Sequence, residues 1–172
     1  MKTIALLFIM VLGLYSKVLI TPQNALKEVY GNGIKIEKKT FLLNSKKYEL
    51  VKQLSKSKLN SKIYRVYNVY KADKLLAYGV LLSMKVRSKK AVILYMIDSD
   101  KSINTIEVVS FNEPPEYLPS KSHLSQYKSK TTLNKLRVKR DINTISGATM
   151  SARSVARGAR IALAVLEVTS EV

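Results

Sequence analysis

Alternating apolar and polar residues through the middle of the chain predict β-strands. Four such segments occupy residues 63–71, 74–86, 91–97 and 103–111. The polar sequence Asp-Ser-Asp-Lys separates the last two and is typical of a hairpin turn. Together with a shorter alternating segment over 34–42, these segments predict a twisted antiparallel sheet.

Apolar residues three and four positions apart predict helices on either side of the sheet segments. Residues 23–30 form a short helical segment that stops at Gly31, and Asn44 is a suitable N-cap for a helix over 46–59. The longest segment covers residues 150–168. Its predicted apolar side consists of Val155, Ala159, Ala162, Leu163 and Leu166, and its predicted solvent side carries Arg157 and Arg160.

Between the sheet and the last helix the pattern changes. Residues 112–119 contain three prolines and cannot form a central strand. We predict a short helical turn over 122–127 and a short strand over 141–145. The whole pattern predicts an α+β fold in which helices pack on one face of the antiparallel sheet.

The N-terminus has the features of an export signal. Lys2 precedes an apolar run over residues 4–14, which is shorter than the roughly 20 apolar residues that a membrane span needs. We therefore predict a signal peptide or an uncleaved N-terminal anchor over residues 1–22. Residues 23–172 are predicted to form one folded domain outside the cytoplasm, in the periplasm or on the outer face of the membrane.

The amino-acid composition excludes several kinds of catalytic and metal site. The chain has no cysteine and a single histidine, which excludes disulfides, thiolate catalysis and metal centres built from several histidines. We expect no metal site and no catalytic residue, and His123 is expected to lie on the surface or in packing. The net charge of +18 favours a lysine-rich surface that attracts anionic membranes. It does not indicate nucleic-acid binding, because no basic block or stacking motif is present.

One small-residue loop stands out at the entrance of the last helix. It reads Ser146-Gly147-Ala148-Thr149, and such a loop directs backbone N–H groups and the helix dipole at an anion. Ser151 and Ser146 add hydroxyl donors, and Arg153 lies one helical turn after Thr149 on the same face. The threonine hydroxyl can also be esterified. These residues alone fit either a simple helix cap or a phosphate site.

The segment 142–151, Ile-Asn-Thr-Ile-Ser-Gly-Ala-Thr-Met-Ser, resembles the flavinylation motif of FMN-binding domains. This family includes flavoprotein subunits of the sodium-pumping NADH:quinone reductase and the Rnf complex, and small exported proteins. The likeness continues through residues 76–80 and 108–117 and covers roughly 24–168. The resemblance implies that Thr149 carries FMN through a phosphoester bond, made by a flavin transferase from FAD. The family often has Asp six residues before this threonine, where this chain has Asn143.

The resemblance also implies a set of cofactor-binding residues, with the flavin-bearing loop at the N-terminus of the C-terminal helix. Thr149 is the covalent attachment point. The other candidates are Ser146, Gly147, Ala148, Ser151, Arg153, Tyr78, Gly79, Glu113 and Tyr117.

The function implied is electron transfer by an exported FMN protein. Its partners would be the flavin transferase and a membrane or periplasmic redox protein, with an anionic membrane surface as a further docking site and no nucleic acid. Two alternatives stay open. One is a flavin-dependent reductase of a small extracytoplasmic substrate, and the other is a binding or regulatory module that keeps the fold without the flavin, which Asn143 favours.

Overall fold

A five-stranded antiparallel sheet forms the centre of the molecule. The computed structural model describes residues 18–144 and 147–170. Each strand pairs with its neighbour in the sequence, in the order β1-β2-β3-β4-β5. The strands are β1 Lys35–Leu42, β2 Ile63–Lys71, β3 Lys74–Lys85, β4 Lys90–Asp98 and β5 Ile103–Phe111. The predicted antiparallel sheet and the α+β class are therefore confirmed.

Four helices and one 3-10 turn accompany the sheet. They are α1 Pro22–Tyr30, α2 Ser45–Ser55, the 3-10 turn Pro115–Tyr117, α3 Lys121–Ser125 and α4 Thr149–Thr169. Asn44 caps α2 as predicted, since its side chain accepts a hydrogen bond from the Lys47 N–H. The helix ends four residues before the predicted end, because Lys56 adopts a left-handed conformation with φ of 47°.

The short strand predicted over 141–145 is not part of the sheet. Ile142 forms only an isolated bridge with Val138, and Ile145 lies outside the described residues. Residues 137–142 form a tight turn, in which the Asp141 and Ile142 N–H groups both donate to the Arg137 carbonyl. This turn brings Ile142 next to Val138.

Helices cover both faces of the sheet, so the prediction of one covered face was wrong. Ile93, Tyr95 and Ile97 of β4 belong to the core that includes α4 residues, whereas Leu94 and Met96 pack in a second core with Leu26 of α1. The central strand is apolar on both sides. Its second face therefore needs a cover, which the short α1 provides.

The long helix α4 runs along the sheet from the β3–β4 turn to the β4–β5 turn. Near its start, Ser154 Oγ donates to the Lys85 carbonyl at 3.0 Å, and near its end Glu167 pairs with Lys101 at 3.3 Å. All five residues of its predicted apolar side are buried. Among the described residues, no helix has the length and apolarity to cross a membrane. Most of the predicted leader, residues 1–17, lies outside the described part.

Candidate functional site

Thr149 is the first residue of α4 and is half-buried. Gly147 has φ of +71°, a left-handed conformation that favours glycine. Ala148 occupies the N-cap position, and its methyl group cannot accept a hydrogen bond from the first-turn N–H groups. Ala148 thus supplies no side-chain cap for the first N–H groups of α4, which begin at Thr149. Ser146 lies outside the described residues.

The first turns of α4 are fixed to the loops beside them. Ser151 Oγ donates its proton to the Tyr117 carbonyl at 2.6 Å, and the Arg87 guanidinium lies 4.1 Å from the centre of the Tyr117 ring. The structure therefore brings the Tyr117 backbone within about one helical turn of Thr149, and contact of Tyr117 with a cofactor stays a prediction. Because the Ser151 hydroxyl proton is engaged with Tyr117, Ser151 contributes to the site by holding α4 in place.

Glu113 fixes the β3–β4 turn, which carries the Arg87 side chain. Its Oε1 accepts hydrogen bonds from the N–H groups of Arg87, Ser88 and Lys89, at 3.1, 2.7 and 2.7 Å. The Lys89 N–H, followed by the other donors, holds the pKa of the Glu113 carboxyl below its usual value. Glu113 thus positions Arg87, which stacks on Tyr117. Direct contact of Glu113 with a cofactor stays a prediction.

Tyr78 and Gly79 do not lie beside Thr149. A side chain at Gly79 would point at Leu94 and Leu26, on the face of the sheet that α1 covers. Tyr78 pairs with Ile97 in the register of β3 and β4, near the turn that joins β4 to β5. Lys101 pairs with Glu167, about 27 Å along α4 from Thr149 at 1.5 Å per residue.

A cleft of about 850 Å³ opens beside the first half of α4. Its walls come from α4, the end of α2, the end of β3 and residues 131–138. Seven cations line it, and no carboxylate is among the described lining residues; the cations are Lys56, Lys85, Lys135, Arg137, Arg153, Arg157 and Arg160. Within the described part of the chain, Arg137 is the one cation of this set with a carboxylate partner, the exposed Asp141. Met150, the residue after Thr149, and Arg153 are among the lining residues, whereas Thr149 itself is not.

Arg160 builds the cleft wall and is half-buried, so the prediction that it simply lies on the solvent side of α4 was wrong. Its guanidinium donates to the Ser55 carbonyl at 3.1 Å, the Leu136 carbonyl at 3.2 Å and Ser57 Oγ at 3.4 Å. These bonds join α2, α4 and the 131–138 segment. Arg157 is half-buried and reaches the Lys85 carbonyl at 3.4 Å. Arg153 is exposed and is the cation of α4 nearest in sequence to Thr149.

Sequence reasoning did not find the 131–138 segment. Its apolar residues do not recur at the spacing of a helix or a strand, and its basic residues form no recognisable motif. Its place in the site depends on Arg160, which contacts it from another part of the chain.

The cleft suits an anionic ligand that also has an apolar part. Its volume lies within the range of about 300–1,000 Å³ that is usual for small-molecule sites. Arginine guanidinium groups match phosphate oxygens in geometry and charge. Leu54, Val86 and Leu163 supply apolar surface among the cations. The residues present therefore fit a phosphate-bearing aromatic cofactor.

Comparison with known proteins also indicates a phosphate-bearing aromatic cofactor. No curated protein and no solved structure matches the chain. The sequence model of one family, described as the FMN-binding domain, matches residues 88–164. The matched segment contains the Glu113 loop, the 131–138 wall of the cleft and the first turns of α4 with Thr149. Over this segment the chain is similar to the FMN-binding domain family, and the match indicates FMN as the cofactor.

Proposed function

We propose that FMN is attached through its phosphate to Thr149 and that the protein transfers electrons outside the cytoplasm. One observation carries the proposal: Thr149 begins α4, and the residue after it, Met150, lines a cleft that also contains seven cations. A helix N-terminus favours an anion by about 0.3–1 kcal/mol when exposed, and by more when partly buried. Thr149 is the hydroxyl-bearing residue at that position.

The attachment is a phosphoryl transfer with no change in oxidation state. A separate flavin transferase brings FAD to the loop. The Thr149 Oγ1 forms a bond to the phosphorus of the FMN half, the pyrophosphate P–O bond breaks, AMP leaves and the hydroxyl proton is released to solvent. This chain contributes the hydroxyl, the uncapped N–H groups behind it and a positive surrounding that attracts the phosphates.

Each part of the site has a separate task toward the bound cofactor. Arg153 lies on the same helix face as Thr149 and pairs with the phosphodiester. Leu54, Val86 and Leu163 bury apolar surface of the ring and exclude water. FMN supplies one- and two-electron chemistry when bound. The positive cleft favours the cofactor after it has gained electrons, because added negative charge is stabilised by nearby cations.

The charge of the molecule suits docking to negatively charged partners. The net charge of +18 attracts an acidic redox protein or an anionic membrane surface, and salt weakens this attraction. An exported chain of this kind would exchange electrons with a membrane or periplasmic redox protein.

Flavinylation in cells tests the proposal. The chain is co-expressed with a flavin transferase, denatured and examined for flavin fluorescence on a gel and for the mass of FMN less one water. Thr149→Ala should lose both signals. Thr132→Ala, a matched change at an exposed threonine in the same cleft, should keep them. A parent band without flavin, or fluorescence that survives in Thr149→Ala, would overturn the attachment.

The flavinylated protein then distinguishes a carrier from a reductase. A carrier should pass electrons to the anionic acceptor ferricyanide at a rate that falls with added salt, because the positive surface attracts the acceptor. A rate that is unaffected by salt contradicts docking by charge. Steady turnover of a small organic substrate would instead identify a flavin-dependent reductase.

A further inference from the structure

Gln126, the residue after α3, connects a buried histidine to the loop that precedes Thr149. Its Oε1 accepts a hydrogen bond from the Asn143 N–H at 2.8 Å. Its Nε2 lies 3.2 Å from His123 Nδ1. Asn143 is six residues before Thr149, so Gln126 fixes the start of the motif from outside it. The Asn143 side chain itself is exposed.

The two hydrogen bonds of Gln126 determine the protonation of His123. A backbone N–H can only donate, so the amide oxygen of Gln126 faces Asn143 and its NH2 group faces Nδ1. Nδ1 must then accept, which requires a neutral imidazole with its proton on Nε2. In a charged imidazole both nitrogens donate. Either orientation of the Gln126 amide would then bring two donors together, so a charged His123 and an intact bond to Asn143 are incompatible.

The surroundings of His123 favour the neutral form. The side chain is buried, burial lowers its pKa, and Nε2 has no partner among the described residues. Its ring contacts the edge of the Tyr127 ring, with centroids 5.9 Å apart. The charged groups of the elements around α3 act on other residues: Glu107 of β5 interacts with Lys121, and Arg160 of α4 interacts with Tyr127.

We propose that Gln126 is a positioning residue for the Thr149 loop and that its two hydrogen bonds coexist only while His123 is neutral. Because the folded protein disfavours the charged imidazole, the link is complete above pH 6.5, the ordinary pKa of histidine, and is lost as pH falls through the pKa of the folded protein. Only the consequence for flavin attachment rests on the proposed function.

Titration by NMR of the unflavinylated chain tests the link directly. His123 is the only histidine, so one imidazole signal reports its protonation. The Asn143 amide signal should move with the same midpoint. Gln126→Glu replaces the amide with a carboxylate that accepts from both neighbours, so the proton affinity of His123 should rise at least tenfold. Gln53→Glu, at an exposed glutamine on α2, should leave it unchanged.

Gln126→Leu tests positioning. The amide signals of Gly147 and Thr149 should shift in this variant and stay near their parent positions in Gln126→Glu. With transferase and FAD, the initial rate of flavin attachment should fall several-fold in Gln126→Leu and recover in Gln126→Glu, while circular dichroism shows that both variants fold.

The outcomes separate the two proposals. An unchanged His123 titration in Gln126→Glu overturns the link. Unshifted loop signals, or an undiminished rate of attachment, in Gln126→Leu overturn positioning. Absence of flavin from every variant, including the parent, rejects attachment at Thr149 and leaves the NMR results to decide the role of Gln126.

Discussion

Replacement of Glu113 should destabilise the β3–β4 turn, which supports the start of α4 through Arg87 and Tyr117. Three backbone N–H groups of the β3–β4 turn converge on its Oε1. That turn presents Arg87 to the Tyr117 ring, and the Tyr117 carbonyl holds Ser151 of α4. Glu113→Gln keeps an oxygen acceptor at this position and removes only its charge. Glu113→Ala removes the acceptor as well.

The magnitude follows from the number and kind of bonds. Hydrogen bonds to a charged group each contribute about 1.5–3 kcal/mol, and neutral ones about half of that. Three bonds to one oxygen are not additive. The turn residues Arg87, Ser88 and Lys89 are exposed, so water can reach donors that lose their partner. We therefore expect a loss in the free energy of unfolding of about 1–2 kcal/mol for Gln and about 2–4 kcal/mol for Ala.

The pH dependence gives the prediction a definite sign. The folded protein holds the pKa of Glu113 below the ordinary value of 4.5, with the Lys89 N–H as the largest cause. The stabilisation by the charge is therefore complete above about pH 4.5 and is lost as pH falls through the lower pKa of the folded protein. Once Glu113 is protonated it resembles Gln, so the difference between parent and Glu113→Gln should shrink at acidic pH.

Urea unfolding followed by circular dichroism at neutral and acidic pH measures both effects. Glu116→Gln is the matched control, because Glu116 is an exposed carboxylate three residues later and should change stability by less than about 0.5 kcal/mol. The reasoning fails if Glu113→Gln is as stable as Glu116→Gln at neutral pH. It also fails if the loss caused by Glu113→Gln is the same at both pH values.

Two further substitutions test how α4 is held. Gly158→Ala should destabilise the protein by about 1–3 kcal/mol in urea unfolding, because the new methyl group would overlap the buried Tyr95 hydroxyl and lie 2.6 Å from its Cζ. This loss is expected even though alanine favours helix formation over glycine by about 1 kcal/mol. Gly33→Ala, which meets no atom within 4 Å, should be nearly neutral, and an equal effect at the two glycines would contradict the packing argument. Arg160→Met should lower the free energy of unfolding by about 2–4 kcal/mol in thermal unfolding, because it leaves buried carbonyl acceptors unpaired. The control Arg153→Met, at an exposed arginine, should have little effect on stability. Equal stability of these two variants would refute the structural role of Arg160.

Local signals in the sequence were sufficient to predict most elements of the fold. The bounds of β2 and β5 agree with the alternation pattern, and Asn44 caps α2 where predicted, because strand alternation and capping depend on adjacent residues. The early end of α2 could not be predicted in this way. The chain after Ser55 follows contacts with Arg160, which is 105 positions away in the sequence.

In the candidate site, too, positions set by neighbouring residues could be predicted, and positions set by distant residues could not. Thr149 stands at a helix start because its loop and helix are adjacent in sequence, so the motif alone predicted this position. For Tyr78 and Gly79 the only signal is the resemblance of their segment to a family sequence, and it does not contain their orientation. Adjacent residues of a strand point to opposite faces, so Gly79 faces α1 while Tyr78 packs on the other core. The cleft depends on long-range contacts that no local pattern contains.

The electrostatics of the cleft favour a binding role over a structural one. Six of its seven cations have no carboxylate partner among the described residues, and like charges held together reduce the stability of the folded chain. Arg160 has a structural reason to be there, since it joins three segments. Arg153 and Lys135 have no comparable contact in the described structure, and both side chains are exposed at the cleft. The proposed anion beside Thr149 would offset this repulsion, which is a physical reason for a cleft lined by cations.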